Sequence, residues 1–121
     1  MSSDNDFSIP ELAALLSGEV ICSPDSDHRV RDFAASDLLS DILACPKEEF
    51  ALLTGLNSAQ VIRTADITGA VCVVILRGKQ PAPEAVKLAE SHDIPMITTP
   101  CRMFEACRRI SRALEERVAQ S

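Results

Sequence analysis

Two short clusters carry the residues best suited to chemistry. The first is Arg77-Gly78-Lys79, two cations around a glycine, directly after the apolar run Ala70–Leu76. The second is Thr98-Thr99-Pro100-Cys101-Arg102, which offers two hydroxyls, a thiol and a cation where a strand gives way to a helix. Thr99-Pro100 is a helix start signal, and free N–H groups at a helix start carry partial positive charge. Together the clusters suit the binding of a small anion. Arg77, Gly78, Lys79, Thr98, Thr99, Cys101 and Arg102 are therefore the candidate ligand-binding residues. The competing reading makes Thr99 a helix cap, Cys101 a packed thiol and the arginines solvated surface.

Other constellations fail on spacing. Gly78-Lys79 has the look of the end of a P-loop, but that pattern needs Gly at position 73 and a hydroxyl at position 80, where the chain has Val73 and Gln80. Without them the backbone cannot wrap a triphosphate and Mg²⁺ loses a ligand. His28 and His92 are the only histidines, and neither comes with a third group to orient it as a base. Glu48-Glu49 and Glu115-Glu116 are adjacent, as on solvated surface, and Asp37 with Asp41 lacks the glycine-centred loop of a calcium site. The five cysteines, Cys22, Cys45, Cys72, Cys101 and Cys107, form no C-x-x-C pair, so neither zinc nor an iron–sulfur cluster is expected. No catalytic residue, metal or cofactor is assigned.

The elements that must position the two clusters follow from hydrophobic pattern. Ala70–Leu76 is the buried strand of a parallel sheet, Pro83 opens a helix with Ala85, Leu88 and Ala89 on one side, and Pro95–Thr98 is a second strand. A strand–helix–strand unit of this length implies a parallel pair with a right-handed crossover, which opens both clusters on one sheet edge. Upstream, Ser8 and Glu11 have capping-box spacing before a helix with Leu12, Leu15 and Leu16, ended by Gly18. Strands are expected at Glu19–Ser23, at Arg29–Ala35 and at Phe50–Thr54, with a polar turn at Pro24–Asp27. Ser36 is expected to cap a helix with Leu38, Leu39, Ile42 and Leu43, stopped by Cys45-Pro46. Asn57-Ser58 starts another that turns Val61, Ile62 and Ala65 inward. The final helix, Cys101 to about Val118, carries Met103, Cys107, Ile110, Leu114 and Arg117 at alternating four- and three-residue steps, flanked by Phe104, Ser111 and Val118. It is expected to pack on the sheet and to contribute to a dimer contact. The result is an α/β, single-domain sandwich with a parallel or mixed sheet flanked by helices: residues 1–7 a disordered tail, residues 8–121 the domain.

Composition bounds the function. The 121 residues suffice for one core, and 46% apolar with 25% charged residues is ordinary for a folded chain. The net charge of −6 argues against nucleic acid or an anionic membrane as partner. That charge is uneven: residues 1–60 hold three basic and eleven acidic side chains, residues 61–121 nine and seven. The more basic half is the one with both clusters. No stretch is apolar enough for a membrane span, and the acidic start MSSDNDFS is unlike a signal peptide, so a cytoplasmic location with reduced thiols is expected.

The order of several segments resembles a known family. Asp27-His28-Arg29-Val30 followed by Ser36-Asp37-Leu38-Leu39-Ser40, then Ala70–Arg77, the Pro81/Pro83 loop, Ala85–Glu90 and Asp93–Pro100, resemble a DRTGG domain over about residues 10–115. Asp27 and Arg29 stand for its Asp-Arg pair, here separated by His28, and its Thr-Gly-Gly stands here as Arg77-Gly78-Lys79. The resemblance implies an α/β fold similar to the N-terminal domain of HPr kinase/phosphorylase, without the kinase domain, and a sensory or oligomerisation role. The expectation is a stand-alone, non-catalytic regulatory module, a homodimer, that binds a small anionic metabolite or a partner protein such as an enzyme. The alternatives are a pure oligomerisation or assembly domain without ligand, and a small thiol- or phosphate-handling enzyme using Cys101.

Overall fold

The computed structural model describes residues 6–22, 26–44 and 47–120. The expected stop at Cys45-Pro46, the first half of the turn at Pro24–Asp27 and residues 1–5 of the expected tail lie outside the described residues. Residues 6 and 7 correct the tail boundary. Phe7 opens the two-residue strand β1 (Phe7–Ser8) and is 2% exposed, and Asp6 before it is also buried. An aromatic ring with core to pack against orders the chain up to it.

Helix α1 (Ile9–Leu15) starts with the expected capping box: the Ser8 hydroxyl accepts the Glu11 N–H at 3.1 Å, and the Ser8 N–H donates to the Glu11 carboxylate at 2.7 Å. Strand β2 (Glu19–Cys22) follows. The single strand expected at Arg29–Ala35 is two, β3 (Arg29–Val30) and β4 (Asp32–Ala35), in different sheets. Val30 and Phe33 both face the same core, which a straight strand forbids for residues three apart. The chain resolves this by changing partner at Arg31, whose N–H turns to the Glu49 carbonyl at 2.8 Å.

Helix α2 (Leu39–Leu43) is shorter than expected. Its cap position is Leu38, with the Ser36 hydroxyl accepting the Leu38 N–H, and only Ile42 of the apolar stripe is buried. Leu38 and Leu43 are more than half exposed, because five residues present little more than one position to the sheet. Strand β5 (Phe50–Thr54), α3 (Ala59–Thr68, closed by Gly69 at φ 84°), β6 (Cys72–Ile75), α4 (Pro83–Ser91), β7 (Met96–Thr98) and α5 (Met103–Gln120) complete the chain.

The main sheet is mixed, in the order β2-β7-β6-β5-β4, with β4 to β7 parallel and β2 antiparallel on β7; β1 and β3 form a separate antiparallel pair. Alternate residues of β5 and β6 divide the core. Phe50, Leu52, Val73 and Ile75 pack with α2, α3 and α4, whereas Ala51, Leu53, Cys72 and Val74 pack with α1 and α5. The connections from β4 through β7 thus stay on one face, and the connection after β7 goes to the other.

In α5 the expected apolar line is half right. Ile110 is buried and Met103, Leu114 and Arg117 are half-buried, but Cys107 is exposed, and Ala106 takes the buried place beside Ile110. Small Ala106 and Ala113 let the helix lie close to the sheet and rotate its larger side chains outward. Arg117 faces the body of the protein as a cation, over the Phe7 ring at 3.8 Å and bonded to the Asp6 carbonyl. Among the described residues no helix is long and apolar enough to cross a membrane.

Candidate functional site

Ligand crevices in open α/β sheets form at the C-terminal strand ends, where adjacent connections leave to opposite faces. Here that place lies between β6 and β7. The chain after β6 leads to α4 on one face and the chain after β7 leads to α5 on the other. The two clusters singled out in the sequence occupy these two loops.

Backbone hydrogen bonds stitch the loops together. The Arg77 N–H donates to the Cys101 carbonyl and the Gly78 N–H to the Thr99 carbonyl, both at 2.8 Å. Arg77 (φ 64°) and Gly78 (φ 68°) are both left-handed, and the Lys79 N–H returns to the Leu76 carbonyl at 3.3 Å. Two positive φ values in succession are the mark of a primed turn, which glycine accommodates at Gly78 and arginine tolerates with strain.

Thr99 and Cys101 point inward. The Thr99 hydroxyl donates to the Leu16 carbonyl at 2.6 Å and accepts the Cys101 N–H at 3.1 Å, and the Cys101 thiol lies 3.4 Å from the same carbonyl. The helix expected from Cys101 begins instead at Met103, and its first in-register bond runs from the Ala106 N–H to the Arg102 carbonyl. The amides of Arg77, Gly78, Thr99 and Cys101 are thus committed to the protein itself. The Cys101 thiol is buried and turned toward the Leu16 carbonyl.

Beside the bridge is a groove of about 280 Å³ lined by Ser17, Gly18, Glu19, Gly78, Gln80, Thr98, Thr99 and Pro100. Of the seven expected residues it brings together Gly78, Thr98 and Thr99. Arg77, Lys79, Cys101 and Arg102 do not line it. Lys79 and Arg102 are exposed near its residues in the chain, whereas the Arg77 guanidinium lies back over Gly55, where an added Cβ would come within 2.3 Å of Nη2. Gly55 is held in turn by Asp37, whose carboxylate accepts its N–H at 2.6 Å and the Thr54 hydroxyl at 3.2 Å. Arg77, Lys79 and Arg102 make no ion pair among the described residues, unlike Arg29, Arg31, Lys47, Arg108, Arg109, Arg112 and Arg117.

Sequence reading missed Ser17, Glu19 and Gln80. Gly18 was the available signal: a Cβ there would lie 2.4 Å from the Thr98 carbonyl oxygen, so the close approach of this segment to β7 requires glycine. Asp27 and Arg29 do not line the groove either. Arg29 sits in β3, its guanidinium 2.6 Å from the buried Asp6 carboxylate, which raises the arginine's proton affinity further. Burial pushes the Cys72 thiol well up and the Cys107 thiol up to a lesser degree. Among the described residues no group of three or more His, Cys, Asp or Glu side chains is placed to hold a metal.

The DRTGG domain model matches residues 11–113. The structure is similar to the CBS and DRTGG domains of the regulatory region of Clostridium perfringens pyrophosphatase, crystallised in complex with the activator diadenosine tetraphosphate. The TM-score is 0.72 at 18% identity, over 88% of this chain and 46% of that one, so the present chain spans about half its length. No curated protein matches the sequence.

Proposed function

The chain belongs to the DRTGG domain family, and on that premise we propose that it is a regulatory module without a reaction of its own, which takes up a small anionic metabolite at the β6–β7 crevice. The observation that carries this reading is the meeting of the two loops where the connections part to opposite faces, with a groove beside them. Lys79 and Arg102, with Arg77 once it leaves Gly55, supply charge for the anionic group. Glu19, Gln80 and Thr98 supply acceptors and donors for hydroxyls. That combination fits a sugar phosphate or nucleotide better than a bare inorganic anion, and the pyrophosphatase regulatory region is itself complexed with a nucleotide. The seven residues first singled out thus take different parts. Gly78 and Thr98 meet ligand, Arg77, Lys79 and Arg102 carry the charge, and Thr99 and Cys101 hold the bridge. The module works in the cytoplasm, as a homodimer, alongside a partner enzyme, and needs no cofactor.

Isothermal titration with adenine nucleotides, phosphosugars and acyl phosphates tests the reading. At least one class is expected to bind, with affinity falling tenfold or more in the Arg77→Gly/Lys79→Ala double variant. Glycine keeps the positive φ at position 77, so the turn survives the substitution. Binding by no member of the panel, or equal binding by the double variant, overturns the proposal. A second reading, an assembly domain with empty loops, draws support from the outward face of α5.

A further inference from the structure

We infer that the outward face of α5 is the two-fold interface of a homodimer, in which a second copy lays its own α5 antiparallel across Ser111. The inference gives a location to the self-association proposed above and does not depend on the ligand.

The face is a seam of Phe104, Cys107, Ser111, Leu114 and Val118, at steps of three and four residues. Phe104 is 81% and Val118 60% exposed, and Cys107 and Ser111 are exposed between them. This spacing keeps one line facing a neighbouring helix over four turns. A large apolar ring left in water at one end of such a line is a feature that association would bury. Next to the seam, a groove of about 270 Å³ opens between α5 and the edge strand β4, with Phe33 and Leu53 below and Ile110 and Leu114 beside. Among the described residues β4 is the last strand of its sheet. A helix laid along the seam covers this groove.

Charge selects the occupant and its direction. On the solvent flank of the seam stand Arg108 and Glu115, opposite in sign and nearly symmetric about Ser111. Antiparallel packing about a two-fold axis at Ser111 sets Arg108 of each copy against Glu115 of the other, and Phe104 against Val118. A parallel two-fold pair would carry this flank of the two copies to opposite sides of the seam and leave Arg108 and Glu115 without each other. Arg108 is otherwise held only by Glu105 of its own helix at 3.0 Å, and Glu115 makes no ion pair among the described residues. A surface complementary to itself under a two-fold rotation fits a second copy of the chain. Ser111, small and central, lets the two helices approach closely at the axis.

Sedimentation equilibrium at tens of micromolar tests this, with circular dichroism to verify folding of each exposed variant. The wild-type chain is expected to be a dimer. Phe104→Glu and Ser111→Arg should each weaken it at least tenfold. Arg108→Glu should also weaken it, and adding Glu115→Arg should restore it, which only antiparallel packing explains. Ser111→Cys in a Cys107→Ser background should form a disulfide-linked dimer on mild oxidation, whereas Cys107→Ser alone should not. A wild-type monomer overturns self-association altogether. A dimer that survives Ser111→Arg and does not cross-link through Ser111→Cys has its interface elsewhere, such as edge pairing through β4, and overturns this inference while leaving the self-association standing. Neither outcome bears on the calorimetry that tests the ligand.

Discussion

Thr99 shows how much one side chain can hold together. Its hydroxyl joins the last turn of α1 to the first residues of the chain leading into α5, through the Leu16 carbonyl and the Cys101 N–H. Replacing it with valine keeps the shape, removes both bonds and leaves a buried carbonyl and amide without that partner. The expected cost is about 1–3 kcal/mol, the penalty for unsatisfied buried polar groups. Thr98→Val, half-buried on the groove wall, should cost within about 0.5 kcal/mol. Urea unfolding of the two variants side by side checks this, and equal losses would show that Thr99 is not the linchpin. The sequence reads Thr99 as the cap of the next helix, but that helix begins at Met103, and the hydroxyl holds the Cys101 N–H and the Leu16 carbonyl instead. The bond to Leu16 was not legible, since a partner 83 positions away leaves no local pattern. The same limit hid Asp6 behind Arg29. Only the fold brings that carboxylate under the guanidinium, so the cation of the Asp-Arg motif is a structural partner here.

Elements were legible in proportion to their length and to the regularity of their pattern. The capping box of α1, the five buried residues of β5 and the inward line of α3 stand where the spacing predicts them. The splitting of Arg29–Ala35 shows in the sequence only as two apolar residues three apart, Val30 and Phe33, and the rotation of α5 does not show at all. Two alanines decide that rotation by how closely they approach the sheet, a tertiary fact. At the start of α1, the Ser8 N–H, with Arg117 and Arg29 beyond it, holds the Glu11 carboxyl below the usual carboxylate range. A carboxylate with a depressed pKa contributes stability that is present above its unfolded-state value and is lost as pH falls through the folded-state value. Glu11→Gln keeps an acceptor for the Ser8 N–H and removes only the charge. The variant should therefore be less stable than wild type by under about 1 kcal/mol at pH 7, as half-exposed pairs allow. The difference should fade at a pH well below the free glutamate value of about 4.3, as pH falls through the lowered folded-state value and the wild-type carboxyl takes up its proton. Denaturation midpoints measured at both pH values check it, and a gap that persists in acid would assign the effect to the cap's shape instead of its charge.

At the scale of the molecule, four parallel strands with three helices on one face and two on the other leave β5 and β6 flanked by strands on both sides and covered on both faces. This arrangement was legible as a class, because buried apolar runs alternating with helices have few other solutions. The antiparallel β2 and the sharing of the core were not, since edge position and face depend on contacts made across the whole chain. Amide protection should follow the layering. The slowest exchange is expected in Leu52–Leu53 and Val73–Ile75, near the global unfolding limit, and the fastest helix should be α2, five residues long with a single buried side chain. The informative amides are those of Arg77 and Gly78. Both residues are exposed and sit in a loop, yet their N–H groups donate across the crevice to Cys101 and Thr99. They should exchange as slowly as strand amides, because breaking these bonds means parting the two loops that α4 and α5 pull to opposite faces. Hydrogen exchange followed by two-dimensional NMR reads them directly. Rapid exchange at Gly78 beside slow exchange in β6 would mean that the bridge opens while the sheet stays closed. The crevice would then be a moving part, with its amides available to an incoming anion, instead of the fixed seam that these hydrogen bonds describe.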